Sequence, residues 1–577
     1  MFNNQKTVAD VIVETLQAVG IKRYYCVPGD SMNEITVRLA DAGIEFLHTR
    51  NEGAAIFAAG AEARLTGKIT VCAGSAGPGG LHLVNGVHEA SRMNAPMLVF
   101  PTHVDTTEIG GKFFQEADLK SIFKDGTVFC EQVLTEEQMP RLLNIAIQTA
   151  IAKKGVAVLI FSGDMTKRIV KHPVNVNLLP KYINPYIRPS DEELVQIAAL
   201  LNGSKKITLF CGYGCKDAHD QVVALAEKLK APVVHTLRGK EWVEFDNPYD
   251  VGMTGLIGAT SGYLAIKECD TLVLLGTGFP YRQFYPENSK IIQIDLDGEN
   301  IGRRIGVDIG AVGDIKPSIE ALLPLLHEKH DRKFLGAAIE HFKDVRADWD
   351  KLANYSAGAT TIHPQYLAKM INQLADDDTV FCGDAGTVTI WQARYLAMNG
   401  KRRLIGSFNN GSIATGFPSA IGAQAAFPER QVIAMCGDGG FSMLLGDLIA
   451  VENFNLPIKM IIFNNHSYGF VQLEMMEVGL YNHLTDLKQP NFAKIAEAIG
   501  IKGIYIDKPE DIEAGLKEAF AHAGPVIVDV RVNSYELAMP PTIEMAQLKG
   551  FGLYALHAVL DGGIKSLIDI TKENLFR

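Results

Sequence analysis

The stretch from residue 432 to residue 465 constrains this chain more than any other. A run of branched apolar residues, VIAMC, ends in the turn GDGG at residues 437–440, and an amphipathic segment follows over residues 441–455. A second apolar run, KMIIF, then ends at an asparagine pair, residues 464–465. The pattern predicts a strand, a helix and a second, parallel strand. Because parallel strands end at one edge of their sheet, Asp438 and the asparagine pair are expected to lie side by side.

This edge of the predicted sheet has the chemistry of a magnesium and diphosphate site. An Asp carboxylate, an Asn amide oxygen and a backbone carbonyl are hard oxygen ligands of the kind that Mg²⁺ prefers. The glycines around Asp438 leave room for a diphosphate at the N-terminus of the following helix, where free N–H groups and the helix dipole favour anions. The alternative is an ordinary GDGG turn beside an unrelated loop. That alternative would leave the ordered succession of glycines, acid, helix, strand and asparagines without an explanation.

A second glycine turn, GDAGT at residues 383–387, follows the strand TVFC and offers further N–H groups to a phosphate. The stretch around Asp438 resembles the thiamin diphosphate motif of the pyruvate oxidase and acetolactate synthase superfamily. The resemblance implies that Asp438, Asn465 and the carbonyl of Ser467 hold the metal, and that Ile413 props the cofactor rings into a bent shape. It implies a larger thiamin diphosphate site made of Glu52, Gly383, Asp384, Ala385, Gly386, Thr387, Ser412, Ile413, Gly437, Asp438, Gly439, Gly440, Asn465, Ser467, Tyr468, Gly469 and Phe470.

The first 180 or so residues alternate between predicted helices and strands, which indicates a doubly wound parallel sheet. Glu52 stands at the start of the Ala-rich helix in RNEGAAIFAAGAEA, where a carboxylate can simply face the helix dipole. The family resemblance gives Glu52 a second role, because a Glu at this position in thiamin enzymes hydrogen-bonds the aminopyrimidine ring. By the same resemblance the catalytic residues are Glu52, Phe114, Gln115, Phe470 and Glu474. For Phe114 a place in the core is the alternative.

A Pro-marked connection leads to a central domain with several strands that end in glycine. No GxGxxG fingerprint is present, so the residues alone leave dinucleotide binding open. Asp295, at the end of the strand IIQID, can accept hydrogen bonds from ribose or adenine groups. Resemblance to flavin-containing thiamin enzymes implies an FAD site made of Gly212, Gly214, Arg238, Gly255, Leu256, Ile257, Gly258, Thr277, Gly278, Phe279, Pro280, Tyr281, Asp295 and Asp314.

The fold class predicted for the 577 residues is α/β, with three doubly wound parallel-sheet domains and a C-terminal amphipathic tail. The N-terminal, pyrimidine-binding domain is expected over residues 1–182 and the central FAD-binding domain over residues 183–345. The C-terminal domain, which would bind the diphosphate and the metal, is expected over residues 355–535, and the tail with a membrane-binding helix over residues 536–577. The first and third domains look like duplicates of one plan of strands and helices.

Composition narrows the function classes. A net charge of −11 without a basic block argues against nucleic-acid binding. The eight cysteines are scattered and form no CxxC pattern, which indicates reduced thiols in a cytoplasmic protein. No apolar run approaches membrane-spanning length, so any membrane contact is expected to be peripheral.

The end of the chain has the pattern of an amphipathic helix. Ile564, Leu567, Ile568, Thr571 and Leu575 fall on one face at helical spacing, and charged residues face away. Two interpretations stay open from the residues alone. The helix can dock on the body of the protein, or it can lie on a membrane surface.

Over essentially its whole length the chain resembles the bacterial quinone-dependent pyruvate dehydrogenases, also called pyruvate oxidases. HLVNGVHEASR, APVVHTLRGKEWVEF, KIIQIDLDGENIG and LAMNGKRRLIGSFNNGS are among the segments that carry this resemblance. It implies conversion of pyruvate to acetate and CO₂, with thiamin diphosphate, Mg²⁺ and FAD as cofactors and ubiquinone as electron acceptor. It also implies a homotetramer in which one subunit supplies Glu52 and another Asp438 to each site. The protein would be cytoplasmic and peripheral on the inner membrane, held to lipid by residues 551–577.

Other readings share these motifs. One is a carboligase that makes acetolactate, and another is a phosphate-dependent oxidase that makes acetyl phosphate and peroxide. A third, from a different class, is a lipid-docking protein that has kept the fold without catalysis. The presence of Glu52, Asp438 and Asn465 argues against this third reading. Ile413, Gly53 and Ala385 depart modestly from the family pattern and concern substrate preference.

Overall fold

The computed structural model describes residues 6–171, 186–355, 358–480, 484–534, 536 and 553–555. These residues form three α/β domains, each built on a six-stranded parallel sheet, which confirms the predicted fold class. The proposed domain boundaries stay predictions. The amphipathic helix expected at the end of the chain lies outside the described residues. None of the described helices is long and apolar enough to cross a membrane.

The N-terminal domain orders its large sheet β3-β2-β4-β5-β7-β6. Asn51 caps the helix that starts at Glu52, because its side-chain oxygen accepts the N–H of Gly53 at 2.7 Å. The small strands β1 and β8 pair antiparallel beside the sheet. The elements are β1 (Lys6–Thr7), α1 (Val8–Val19), β2 (Arg23–Cys26), α2 (Asn33–Leu39), β3 (Glu45–His48), α3 (Glu52–Thr66), β4 (Thr70–Gly74), α4 (Pro78–His82), α5 (Val84–Met93), β5 (Met97–His103), α6 (Leu119–Phe123), β6 (Phe129–Gln132), α7 (Met139–Lys153), β7 (Val156–Ser162) and β8 (Ile169–Val170).

The central domain orders its sheet β11-β10-β9-β12-β13-β14, and every neighbouring pair is parallel. Numbered within the domain, this is the order 3-2-1-4-5-6 of dinucleotide-binding folds. The elements are α8 (Asp191–Gly203), β9 (Ile207–Cys211), α9 (His219–Leu229), β10 (Val233–His235), α10 (Leu237–Val243), β11 (Asp250–Met253), α11 (Thr260–Lys267), β12 (Thr271–Leu275), β13 (Lys290–Asp295), β14 (Ile309–Val312), α12 (Ile315–Leu322) and the connecting helix α13 (Lys333–Leu352).

The C-terminal domain orders its sheet β16-β15-β17-β18-β20-β19. Counted within each six-stranded sheet, both this sheet and the N-terminal one have the order 2-1-3-4-6-5, so the expected duplication is visible in the topology. The elements are α14 (Pro364–Leu374), β15 (Val380–Gly383), α15 (Thr387–Tyr395), β16 (Arg403–Gly406), α16 (Gly416–Ala426), β17 (Val432–Gly437), α17 (Asp438–Met443), α18 (Leu448–Asn453), β18 (Lys459–Asn464), α19 (Gly469–Glu477), α20 (Phe492–Ala498), β19 (Lys502–Ile506), α21 (Ile512–Ala521) and β20 (Val526–Arg531).

The two duplicated domains share one hydrophobic core. Helices α3 and α16 pack closely, and Gly422 lies so near the backbone of Ala58 that a Cβ would clash there. Apolar residues of both sheets and both helices form a single buried cluster. The start of α3, which carries Glu52, is therefore fixed relative to the C-terminal sheet.

One predicted element differs in the structure. The segment at residues 441–455 is not one amphipathic helix, because α17 ends at Met443, a short 3₁₀ turn covers Leu445–Asp447, and α18 then begins. The break turns the Asp447 side chain inward, where its Oδ1 accepts the backbone N–H of Arg50 at 2.6 Å. A continuous helix would not hold this contact to the N-terminal domain.

Candidate functional site

The predicted meeting of Asp438 with the asparagine pair is present. Strands β17 and β18 are parallel neighbours with Gly437 opposite Phe463. Asp438 is the first residue of α17; the neighbouring strand ends at Asn464, and Asn465 follows it directly. Asp438 is 1% exposed and Asn465 is 9% exposed. Carboxylate and amide oxygens therefore lie buried at one edge of the C-terminal sheet.

The Asp438 side chain suits a divalent cation. Burial raises the pKa of Asp438 to about 7, and its Oδ2 has no hydrogen-bond partner in the described part of the chain. A buried carboxylate oxygen without a donor calls for a bound ion or water. Asn465 Oδ1 accepts the N–H of Ser467 at 3.1 Å, which shapes the loop whose carbonyl is the third predicted ligand.

No cluster of three or more His, Cys, Asp or Glu side chains able to hold a metal occurs among the described residues. A metal at this edge would therefore be held by Asp438 together with amide and carbonyl oxygens, and phosphate oxygens would complete its shell. That donor set fits Mg²⁺.

Asp384 is a second buried carboxylate at this edge. It follows β15, is 1% exposed, and its Oδ1 accepts the N–H groups of Ala385 at 2.9 Å and Thr415 at 3.1 Å. Its Oδ2 has no partner among the described residues and lies against Gly440, where any side chain would collide with it. Burial raises the pKa of Asp384 to about 7. The N–H of Ala385, in the GDAGT turn, is thus hydrogen-bonded within the turn. The packing of Asp384 on Gly440 explains why a glycine stands two residues after Asp438.

Three residues predicted for the cofactor site line one cavity beside this edge: Thr387, Asn465 and Gly469. Gln472, Trp391 and Glu536 also line it, and the sequence analysis singled out none of them. Ser467 donates its hydroxyl to Gln472 at 3.1 Å, so the polar spacing of HSYGFVQ could have indicated this link. Gly386 has a φ of 128° and open space above its Cα, which leaves room at the start of α15.

The N-terminal domain contributes a separate acidic position. Glu52 is 7% exposed, and His82 Nδ1 lies 2.8 Å from its Oε2. Gly79, the second residue of α4, packs against the same carboxylate. Sequence reasoning placed Glu52 at the start of its helix and missed His82, although His82 comes two residues after the glycine-rich segment GSAGPGG at residues 74–80.

The remaining predicted catalytic residues lie at the surface of the single chain. Phe114 is 78% exposed, and Gln115 and Glu474 are exposed as well. Gln115 packs on Gly77, two residues before the Gly79 that contacts Glu52. Phe470 is half-buried on α19, where it packs on the core of the C-terminal domain. The structure brings Gln115 near the surroundings of Glu52 and leaves Phe114 and Glu474 facing outward.

In the central domain every residue predicted for FAD lies at or after the carboxyl end of a strand. Gly212 and Gly214 follow β9, Arg238 follows β10, residues 255–258 follow β11 and residues 277–281 follow β12. Asp295 ends β13 and Asp314 follows β14. Because the sheet is parallel, all fourteen residues lie along one edge, and the winding direction changes there between β9 and β12. In open sheets of this kind ligands bind in the crevice at that change.

Two charged residues at the central edge have specific contacts. Asp295 is 7% exposed, and its Oδ1 accepts the N–H of Asp297 at 3.0 Å and the side-chain amide of Asn300 at 3.2 Å. Burial raises the pKa of Asp295. Arg238 donates to the carbonyl oxygens of Arg92 at 3.3 Å and Met93 at 3.4 Å, which close helix α5 of the N-terminal domain.

The chain has two duplicated sheets, one before and one after a central sheet with the strand order of dinucleotide-binding folds. This fold and these sheet edges define a class of protein that binds phosphate-bearing cofactors. Three family models match in order: the N-terminal thiamine pyrophosphate (TPP) binding domain at residues 6–122, the central domain of thiamine pyrophosphate enzymes at 194–322 and the C-terminal TPP binding domain at 384–530. The chain belongs to the thiamine pyrophosphate enzyme family.

Individual relatives cover almost the whole chain. A putative thiamine pyrophosphate-containing protein, YdaP, from Bacillus subtilis is 39% identical over 555 residues, which is 96% of each chain. A pyruvate oxidase from Lactiplantibacillus plantarum is 27% identical over 90% of this chain and 88% of its own. The acetolactate synthase large subunit from Lactococcus lactis is 28% identical over 92% of this chain and 93% of its own.

Proposed function

We propose that this thiamine pyrophosphate enzyme decarboxylates pyruvate oxidatively to acetate and CO₂, and passes the electrons through FAD to a membrane quinone. The observation that carries the proposal is the central sheet, which has the strand order of dinucleotide-binding folds with all fourteen predicted FAD residues at one edge. A flavin beside a thiamin site supports decarboxylation coupled to electron transfer.

Thiamin diphosphate, when bound, supplies stabilisation of the carbanion left when a 2-oxo acid loses CO₂, and FAD supplies an acceptor for two electrons. The Asp438 edge would hold the metal and the diphosphate. Glu52 is the buried carboxylate that would exchange a proton with the aminopyrimidine nitrogen through its Oε atoms. His82, at 2.8 Å, orients that carboxylate, and Asp447 holds the turn before it through the N–H of Arg50.

A carboligase that makes acetolactate is the second candidate. The observation in its favour is that relatives named acetolactate synthase match as well as the named pyruvate oxidase does, at 28% and 27% identity respectively. An FAD site does not separate the two, since the carboligases that the sequence resembles keep FAD without using it for redox. A phosphate-dependent oxidase is a further variant of the first candidate.

The acceptor, the membrane association and the assembly rest on sequence resemblance. Ubiquinone, lipid binding through residues 551–577, a homotetramer and a location on the cytoplasmic face of the inner membrane are proposals that follow from it. The exposed Phe113 and Phe114, at 48% and 78%, are consistent with a surface that a second subunit covers.

Product analysis tests the proposal. Purified protein loaded with thiamin diphosphate, Mg²⁺ and FAD is given pyruvate and a soluble electron acceptor, and acetate, acetolactate and acetyl phosphate are measured together. Acetate with two electrons delivered to the acceptor per acetate supports the proposal. Acetolactate without reduction of the acceptor would replace it with the carboligase, and acetyl phosphate that requires added phosphate would replace it with the phosphate-dependent oxidase.

A further inference from the structure

The turn after β9 lies where the N-terminal and central domains meet. Tyr213 occupies this turn, at the change of winding between β9 and β12. The guanidinium carbon of Arg64, near the C-terminal end of α3, lies 3.2 Å from the centre of the Tyr213 ring. The guanidinium carbon of Arg238 lies 5.0 Å from the same centre. Two domains thus place two cations on one aromatic ring at the edge where a dinucleotide is expected.

The acids nearby do not neutralise this pair. Glu241 forms an ion pair with Arg403, whose guanidinium also stacks on Trp242 at 5.2 Å. Burial raises the pKa of Glu89, the other acid close to Arg238. Three arginines, Arg64, Arg238 and Arg403, stand against these two acids, so the cluster keeps an excess of positive charge.

Arg64 is the cation without an acceptor. Within the ranges that the structure describes, its guanidinium makes no hydrogen bond and no ion pair. Burial lowers the pKa of Arg64 to about 9, the charges of Arg238 and Arg403 act in the same direction, and the charge of Glu241 opposes them only in part. Arg64 is partly buried, and a desolvated guanidinium is costly unless it is paired and hydrogen-bonded. Cation–π contact with Tyr213 compensates part of this cost and leaves the N–H groups without an acceptor.

The chemistry of the site indicates its ligand. Arginine presents a planar fork of N–H donors that matches phosphate oxygens, and it is preferred wherever phosphate recognition is bidentate. At the change of winding in a sheet of order 3-2-1-4-5-6, the ligand part expected is the diphosphate of a dinucleotide. Gly212 and Gly214, on either side of Tyr213, pack directly on Gly276 at the end of β12, so the turn is fixed.

We propose that Arg64 is a dinucleotide-binding residue supplied by the N-terminal domain, and that its guanidinium binds the diphosphate of FAD above Tyr213. This inference rests on the proposed function, which takes the dinucleotide to be FAD. Arg64 lies on the same helix that begins with Glu52, and a helix of 15 residues spans roughly 22 Å. Bound FAD would therefore hold one end of α3 while the other end presents Glu52.

The test measures affinity in the full-length protein freed of flavin. Dissociation constants for FAD, ADP and riboflavin are obtained for wild type, Arg64→Gln, Arg64→Lys and Arg141→Gln; Arg141 is exposed on α7 of the same domain and serves as the matched control. Arg64→Gln should weaken FAD and ADP at least about tenfold, because a charge-assisted bond to phosphate is lost. Arg64→Lys should have an intermediate effect. Riboflavin, which has no phosphate, should bind equally to all four.

Hydrogen exchange of the wild type adds a readout that needs no variant. FAD should slow amide exchange at residues 60–66, and riboflavin should not. The inference would be overturned if Arg64→Gln bound FAD and ADP as tightly as wild type does, or if FAD left amide exchange at these residues unchanged. Either result would leave the proposed function standing. A wild type that binds no FAD would remove the proposed function and this inference with it.

Discussion

Replacing Asp447 with asparagine is expected to stabilise the folded protein and to slow its reaction. Asp447 is 1% exposed, and its Oδ1 accepts the N–H of Arg50 at 2.6 Å, two residues before Glu52. Burial raises the pKa of Asp447 from its ordinary value of 3.8 to about 6, and the charge of Glu52 adds to the rise. At neutral pH the Asp447 carboxylate is therefore ionised although its burial disfavours the charge.

The size of the effect follows from this pKa. A rise from 3.8 to about 6 corresponds to roughly 3 kcal/mol of destabilisation at neutral pH. Asparagine removes the charge and keeps an oxygen for the Arg50 N–H, and the charge-assisted bond that is given up is already contained in this pKa. The expected gain in the free energy of unfolding is therefore about 3 kcal/mol. Turnover is expected to fall on the order of tenfold, because the turn before Glu52 is held less firmly.

The sign of the pH dependence can be checked. Between pH 3.8 and about 6 the folded state binds more protons at Asp447 than the unfolded state, so the cost grows as the pH rises through this window. The stability difference between Asp447→Asn and wild type should be largest at neutral pH and should disappear as the pH approaches 3.8. Urea unfolding at neutral and mildly acidic pH, followed by tryptophan fluorescence, measures it. A variant less stable than wild type at neutral pH, or a difference independent of pH, would refute the reasoning.

Three further changes test the other sites. Glu52→Gln should keep cofactor binding and lower turnover by about two to four powers of ten, because a positioned proton donor and acceptor is lost; near-normal decarboxylation of pyruvate would contradict its role. Asp438→Ala should abolish Mg²⁺-dependent binding of thiamin diphosphate, measured by calorimetry, and leave FAD bound in the central domain; the reverse pattern would show that the domain roles are wrong. Removal of residues 551–577 should leave reduction of a soluble dye intact and abolish flotation with lipid vesicles at both low and high salt, since apolar area drives insertion; unchanged flotation would mean that the helix docks on its own protein.

Sequence patterns predicted the features that depend on neighbouring residues or on the parallel arrangement of the strands. The strand ends at Gly437 and Asn464, and therefore the meeting of Asp438 with Asn465, follow from apolar runs and the rule that parallel strands share an edge. The start of α3 at Glu52 follows from its Asn cap and Ala-rich composition.

The features that the sequence analysis missed depend on contacts between distant residues. Arg50 and Asp447 are 397 positions apart, and nothing local in the segment at residues 441–455 predicts that it breaks at Leu445–Asp447 to reach the other domain. The close packing of Asp384 on Gly440 is equally non-local. Phe114 is 78% exposed among the described residues, so its predicted role stays a prediction.

The strongest test is to add pyruvate, under anaerobic conditions and without another acceptor, to the protein loaded with FAD, thiamin diphosphate and Mg²⁺. If pyruvate is oxidised through the flavin, the visible absorbance of FAD bleaches and acetate forms in an amount equal to the FAD reduced. Asp438→Ala, which cannot hold the metal, should show neither change. An FAD spectrum that stays oxidised while pyruvate is consumed and acetolactate accumulates would contradict oxidative decarboxylation and assign the chain to the carboligases.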